Sequence, residues 1–401
     1  MKVAMIDLLA QTPFYDRCLA ESVAPLVDQF TLYITRFHYE PEYFDSVSFN
    51  WTPGLTDRLG LAFSRLHWLR RPVRLLEYHL NWCALLRRFQ SHPPDVVHIQ
   101  WLPLLGISPV LSEMRFVRNL HAQGLPIVYT VHNYLPHDTA PSVATVYHRL
   151  YCSVDHLIVH TESDRQRLLS GGISERRITV IPMGPFFIEQ YGFPSLRARE
   201  LLRIKSDEFV LLMLGVIRPY KGIEETMRAL AQLVNEYPKV RLWVVGNAIN
   251  KKYVLYLQRL AARLGIQEYI EWRIGYVHSS QIGLFYAAAD VVLFPYRDVS
   301  QSAAFLTAAG LGKCTISTRV GGLAEIVRDG ENGLQIDSAE PDAIAEGLRR
   351  CLAMTAEQRN AMGLALRDAV NQRCSWAQIA EKTVIVYKQV IGRCTSGAFS
   401  R

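Results

Sequence analysis

Arg218-Pro219-Tyr220-Lys221-Gly222 follows directly on the apolar run Phe209 to Leu214. A buried strand ending in a loop with two cations, just before a new helix, is where an open parallel sheet can hold a diphosphate. Ligands bind beyond the carboxyl ends of such strands, and a helix N-terminus adds unpaired N–H groups and the positive end of its dipole. Arg218 and Lys221 suit the negative charge that builds on a departing nucleoside diphosphate. The pentapeptide reads equally as a surface turn with two solvated cations, so the decision rests on the rest of the chain.

The elements that must position these cations are legible as a pattern. With 401 residues the chain exceeds one ordinary core and suits two domains. Short β-rich runs alternate with amphipathic segments, the mark of an α/β doubly wound parallel sheet, and the pattern occurs twice. The first half places strands at Val3–Ile6, Thr31–Ile34, Val96–Gln100, Ile127–Val131, His156–Val159 and Thr179–Ile181. Pro182-Met183-Gly184-Pro185 and the polar stretch to Pro194 then interrupt it as a hinge would. The second half resumes with Phe209–Leu214, Arg241–Val245, Ile270–Ile274, Val291–Phe294 and Thr315–Ser317, and closes on helices through Pro341–Met354 and Ala356–Gln372.

Composition narrows the chemistry. A formal net charge of +7 favours anionic ligands or an anionic membrane, but no RNA-binding or zinc-finger signature accompanies it, and no nucleic-acid partner is expected. The 7 cysteines are scattered, with no C-x-x-C pair, which indicates neither a disulfide framework nor a zinc site and fits a reducing cytoplasm. Asp7 interrupts the first apolar run, Val3 to Leu9, which reads as a strand rather than an export signal.

The order of motifs resembles the retaining glycosyltransferases of the GT-B fold, specifically the large family 4 of nucleotide-sugar-dependent enzymes. In the first half, Asp95-Val96-Val97-His98-Ile99-Gln100-Trp101, Thr130-Val131-His132-Asn133, residues 155–163 and Val180-Ile181-Pro182-Met183-Gly184 carry the likeness. In the second half it rests on Arg218-x-x-Lys221-Gly222, Leu242 to Gly246, Tyr286 to Pro295 and Val320 to Gly333. The resemblance implies two Rossmann-like domains facing across a cleft. The first would be an acceptor domain at 1–190 with a crossover helix at 376–393, the second a nucleotide-sugar domain at 195–375.

It also implies roles. Arg218 and Lys221 match the family's diphosphate clamp, and His132 the histidine that contacts the donor sugar or a neighbouring phosphate, although a strand-end histidine satisfied by local backbone is the plain alternative. Gly215, Gly246 and Asn247 end strands where the nucleotide runs, and Tyr276 and Val277 stand where the base packs. Asn133 and His137 belong to the acceptor side. The loop after the first strand lacks the usual Gly-Gly and reads Gln11-Thr12-Pro13-Phe14-Tyr15-Asp16, so Tyr15 and Asp16 become acceptor-side candidates.

One departure bears on donor recognition. The family carries two glutamates eight positions apart, and alignment puts Val299 and Thr307 in their places. What remains is Ser300-Gln301-Ser302 before Ala303 and Ala304: a capped helix start whose N–H groups suit phosphate, with Thr307 offering the ribose a neutral hydroxyl.

The reaction implied is transfer of a hexose from a nucleoside diphosphate sugar to a hydroxyl of a saccharide or lipid-linked acceptor with retention of configuration, in cell-surface polysaccharide or glycolipid synthesis. No metal or other cofactor is implied, since the clamp supplies countercharge and no Asp-x-Asp motif stands at a strand end. A catalytically silent nucleotide-sugar-binding protein and a sugar-nucleotide epimerase are the alternatives. From Arg65 to Arg88, six arginines (65, 70, 71, 74, 87, 88) face one acid, Glu77, interleaved with Trp68, Tyr78 and Trp82. That suits peripheral contact with the anionic inner face of the plasma membrane, and equally a solvated face over a buried stripe of Leu75, Leu76, Leu80, Leu85 and Leu86.

Overall fold

Runs of β-branched and aliphatic residues with no polar alternation bury both faces of a strand, which requires helices on both sides of a parallel sheet. Val291–Phe294 is such a run, and Val96–Ile99 and Ile127–Val131 come close to it with only His98, Tyr129 and Thr130 departing; all three are buried at every position. The computed structural model describes residues 1–52, 67–105, 113–135 and 141–395, and these divide into two compact units, Met1–Pro182 with Trp376–Arg401 and Met183–Ser375.

The first unit has a parallel seven-stranded sheet of β1 (Lys2–Asp7), β2 (Gln29–Ile34), β3 (Asn50–Thr52), β4 (Val96–Ile99), β5 (Ile127–Val131), β6 (His156–Val159) and β7 (Ile178–Val180), in the order β3-β2-β1-β4-β5-β6-β7. The helices are α1 (Pro13–Val23), α2 (His67–Ser91), α3 (Glu113–Ala122), α4 (Pro141–Ser153) and α5 (Glu162–Ser170). Thr161 caps α5 by accepting the Asp164 N–H at 3.1 Å.

The second unit begins with α6 (Ser195–Leu202). Its parallel strands are β8 (Phe209–Leu214), β9 (Val240–Gly246), β10 (Ile270–Ile274), β11 (Val291–Phe294), β12 (Thr315–Thr318) and β13 (Leu334–Ile336), in the order β10-β9-β8-β11-β12-β13. Between and after them come α7 (Ile223–Leu233), α8 (Lys251–Leu264), α9 (Ile282–Ala288), α10 (Ala303–Gly310), α11 (Gly321–Ile326), α12 (Pro341–Leu352) and α13 (Ala356–Arg373). The last helix, α14 (Trp376–Thr395), lies in the first unit, where it packs on α1, β4 and β5. In each sheet the strand order reverses once, between β1 and β4 and between β8 and β11. The carboxyl ends at such a reversal leave a crevice.

Two strands escape the pattern reading. Asn50–Thr52 and Leu334–Ile336 are three-residue strands, as short as β7, and neither offers a pattern long enough to mark it by periodicity. The helical phase of α2 also differs from the expected one. Tyr78, Trp82, Leu85 and Phe89 form the buried stripe, at most 5% exposed, while Leu75, Leu76 and Leu80 are 36, 55 and 41% exposed. Tyr78 and Trp82 are therefore core residues of the first unit, not interfacial ones, because their spacing of four and seven puts them on one face with Phe89.

Candidate functional site

In the second unit the reversal point is built from close backbone approaches. Gly246, at φ +141°, lies against β8: a Cβ there would come 2.1 Å from the Gly215 carbonyl oxygen. Gly215 N–H donates to Val245 (2.9 Å), Ile217 N–H to Asn247 (2.9 Å) and Gly275 N–H to Gly246 (3.0 Å), so the ends of β8, β9 and β10 are laced into one floor. Gly222, in the left-handed region at φ +72°, is the N-cap of α7 and would strike the Pro295 carbonyl oxygen at 2.2 Å with any side chain. Only glycine allows the turn from the cationic loop into α7 at that distance from the end of β11.

This turn folds Lys221 back over the floor. A Cβ on Gly215 would meet the Lys221 Nζ at 2.6 Å, and the same ammonium stands 5.5 Å from the centre of the Tyr296 ring. Burial holds the Lys221 pKa below the ordinary lysine range, and the nearby Arg218 charge adds to the effect, against an opposing influence of Tyr220. The sequence-predicted clamp residues thus stand together at the carboxyl end of β8, with the half-buried Asn247, Tyr276 and Val277 beyond β9 and β10.

Across the reversal, Ser302 caps α10, its hydroxyl accepting the Phe305 N–H at 3.2 Å. The hydroxyl is thereby engaged, and the first-turn N–H groups of Ala303 and Ala304 are the donors the helix start presents. The loop 299–301 is held by the Gly-Gly of α11: Gly322 N–H donates to Ser300 at 2.7 Å, and a Cβ on Gly321 would sit 1.7 Å from the Val299 oxygen. That contact explains Val320-Gly321-Gly322, which the motif reading left without a role. Val299 is 4% exposed and Thr307 3%. The Thr307 hydroxyl donates to its own helix at the Ala303 carbonyl, 2.8 Å away, so its hydrogen is not available to a ribose.

In the first unit the polar residues at the strand ends meet one another. His132, after β5, is stacked on Trp101 at 5.1 Å and 7°, its Nε2 3.1 Å from Gln100 Oε1 and its Nδ1 3.3 Å from His160 Nε2. The sequence does not single out Gln100 or His160 as site residues; their signal is a polar residue directly after a buried strand, β4 or β6. Burial lowers the His132 pKa well below the imidazole range, with smaller contributions from His160 and His98. Asn133 is half-buried beside it. His137 lies outside the described residues.

Tyr15 and Asp16 require correction. Both are buried, because α1 begins at Pro13 and its phase turns Tyr15, Asp16, Leu19, Ala20 and Val23 inward. Tyr15 meets His132 edge-on at 4.8 Å and Trp376 at 5.5 Å, and Asp16, 0% exposed, faces Asp7 rather than an acceptor. The Asp16 carboxyl is held well above its ordinary range by burial first and by the Asp7 charge second. The two carboxyls face each other in the interior, and Asp7 Oδ2 also accepts the Thr12 N–H at 3.0 Å. An acid whose folded pKa is raised stabilises the fold fully below its unfolded pKa and loses that contribution as pH rises through the folded value. Asp16→Asn, which offers Asp7 Oδ1 an N–H without a charge, should therefore stabilise the protein at pH 7 by on the order of 1 kcal/mol and flatten the decline above pH 4. Urea unfolding of both proteins from pH 4 to 8 checks this; equal stability at pH 7 would contradict the buried-pair reading.

Comparison with known proteins bears on the family and the fold. Residues 19–184 match the model of the glycosyl transferase 4-like domain, and residues 196–368 that of the glycosyl transferases group 1. The chain is 27% identical over 239 residues to the uncharacterized glycosyltransferase MJ1607 of Methanocaldococcus jannaschii, covering 59% of this chain and 58% of that one. It is 27% identical over 324 residues to a D-inositol 3-phosphate glycosyltransferase of Geodermatophilus obscurus, covering 75% of this chain and 69% of that one. Among solved structures, Anabaena Alr3699/HepE in complex with UDP and glucose aligns with a TM-score of 0.76 at 18% identity, over 97% of this chain and 100% of that one.

Proposed function

Because the chain belongs to the glycosyltransferases that join a 4-like domain to a group 1 domain and has the GT-B fold, we propose that it transfers a hexose from a nucleoside diphosphate sugar to a hydroxyl of a saccharide or lipid-linked acceptor, with retention of configuration. The observation that carries this reading is the Lys221 ammonium held over the Gly215 backbone beside Arg218, at the carboxyl end of β8. Two cations there, opposite the N-terminus of α10, stabilise the additional negative charge that develops on the departing diphosphate beyond what the intact donor carries. In the proposed step the bond from the anomeric carbon to the phosphate oxygen breaks and a bond to the acceptor oxygen forms on the same face. The acceptor proton passes to the leaving phosphate, and no side-chain nucleophile takes part. His132 is assigned to the donor-sugar side, its buried ring held in place by Gln100 and His160.

UDP is the first donor nucleotide to test, since HepE is solved with it. Calorimetric titration of UDP-, GDP- and ADP-sugars identifies the donor, and the anomeric configuration of the product, read by NMR, tests retention. Binding of a donor with no transfer to any acceptor would favour the silent binding protein, the reading motivated by the buried, uncharged Val299 and Thr307.

The clamp and the α10 N-terminus make a divalent ion unnecessary in this proposal, so transfer should be unchanged within about twofold by excess EDTA. Complete loss, restored by magnesium or manganese, would overturn that part of it. For the acceptor side we propose a lipid-linked substrate and contact with an anionic leaflet through α2, whose exposed Leu75, Leu76 and Leu80 adjoin Arg74. Among the described residues no helix is long and apolar enough to cross a membrane.

A further inference from the structure

Five elements of the first unit bring a chain of buried hydrogen-bonding groups together. Ile181 O, after β7, stands 2.9 Å from His160 Nδ1; His160 Nε2 is 3.3 Å from His132 Nδ1; His132 Nε2 is 3.1 Å from Gln100 Oε1. On its other side the Gln100 Nε2 is 3.2 Å from His98 Nε2, which is also 2.7 Å from Thr130 Oγ1, and His98 Nδ1 is 2.7 Å from the hydroxyl of Tyr387 on α14. His98, Gln100 and Thr130 are 0% exposed, His160 1% and His132 6%.

The protons in this chain can be counted. A carbonyl oxygen only accepts, so His160 Nδ1 carries a hydrogen. With the Gln100 oxygen turned toward His132, the Nε2 of His132 carries one as well. The contact between the two rings needs a third. Three hydrogens on two imidazoles make one cation, shared by the pair. Rotating the Gln100 amide by half a turn presents its NH2 to His132 Nε2 instead. Two hydrogens then satisfy every bond, each ring is neutral, and burial favours this form. The rotated amide turns its oxygen toward His98, whose Nε2 must then carry the hydrogen, and His98 Nδ1 accepts from Tyr387 rather than donating to it.

We propose that Gln100 is a positioning residue whose amide orientation sets the charge of the His132–His160 pair and, in the same movement, the tautomer of His98. The pair takes up one proton, not two, and the amide rotates as it does. The titratable groups facing the pair are His98 from β4, Tyr15 from α1, which is edge-on to both rings at 4.8 and 5.5 Å, and Tyr387 of α14 through His98. β7 contributes only the Ile181 carbonyl through the loop that follows it. None of these groups is a carboxylate, and an incoming diphosphate would favour the cation. That consequence for transfer rests on the donor-side assignment of His132 proposed above; the proton count does not.

The test uses the full chain with ring-15N histidine and no donor. Imidazole nitrogen shifts, followed from pH 8 downward, report tautomer and charge for each ring. The expected result is a single common midpoint for His132 and His160 with a total uptake of one proton, and a change of His98 tautomer at that same pH. Gln100→Glu replaces the rotatable amide by a group that only accepts, and should raise the common midpoint by about 2 pH units. Gln100→Met offers neither orientation and should lower it. Separate midpoints with two protons taken up, or a His98 tautomer that stays constant through the transition, would overturn the proposal. So would a midpoint that Gln100→Glu leaves in place. If the Glu variant does not fold, the wild-type titration alone decides.

Discussion

Lys221→Ala and Arg218→Ala should each slow transfer by at least about a hundredfold while leaving the fold intact, the scale of losing one preorganised partner of transition-state charge. The two need not be equal. Lys221 is half-buried against Gly215 and Tyr296, where water screens its charge poorly, so the larger loss is expected there. If the clamp acts on the departing diphosphate, the loss falls on kcat and on kcat/KM together, with KM changed little. Thermal unfolding within a few degrees of wild type establishes that the fold is intact. Near wild-type turnover in either variant would remove the diphosphate-clamp reading and return Arg218 and Lys221 to a surface turn.

Gly246→Ala should be among the most damaging single methyl groups in the second unit. The position demands φ +141°, and the added carbon would lie 2.1 Å from the Gly215 oxygen, a backbone atom held in place by the Gly215 to Val245 hydrogen bond. Neither strand can retreat without breaking the floor, so a cost on the order of 3 kcal/mol is expected, combining strained backbone and displaced contact. For a unit of this size that corresponds to about 6–12 °C in Tm. Gly330→Ala is the control: it too has positive φ, +77°, but nothing lies within 4 Å of the added carbon, so only about 1 kcal/mol of strain should appear. Equal unfolding temperatures for the two variants would show that the approach of β8 and β9 is not rigid. Donor affinity, measured alongside, should fall with Gly246→Ala and stay with Gly330→Ala.

The glycosyltransferase assignment was legible in the chain because its markers are local. An apolar run ending at Arg218, a strand ending at His132 and a glycine closing β9 each lie within a few residues of the strand that positions them. Parallel strands buried on both faces announce themselves as uninterrupted apolar segments. Eleven of the described strands could be placed in that way, three-residue β7 among them because it adjoins the hinge, whereas the equally short β3 and β13 could not. Helical phase was harder. α2 has apolar residues all round its waist, and only packing decided that Tyr78 and Trp82 go inside while Leu76 stays out. The same uncertainty put Tyr15 and Asp16 on an acceptor loop when α1 turns both inward.

What only the tertiary structure decided is which polar groups are already engaged. Thr307 and Ser302 stand in the sequence as available hydroxyls, yet one donates to Ala303 and the other caps α10. His132 stands alone in its motif, yet Gln100 and His160 take both its nitrogens from strand ends 32 and 28 residues away in the chain. Residue type and local spacing determine what a side chain is able to bond. Its partner is chosen by long-range strand order and helix phase, through the requirement that a buried polar atom find another within hydrogen-bond reach.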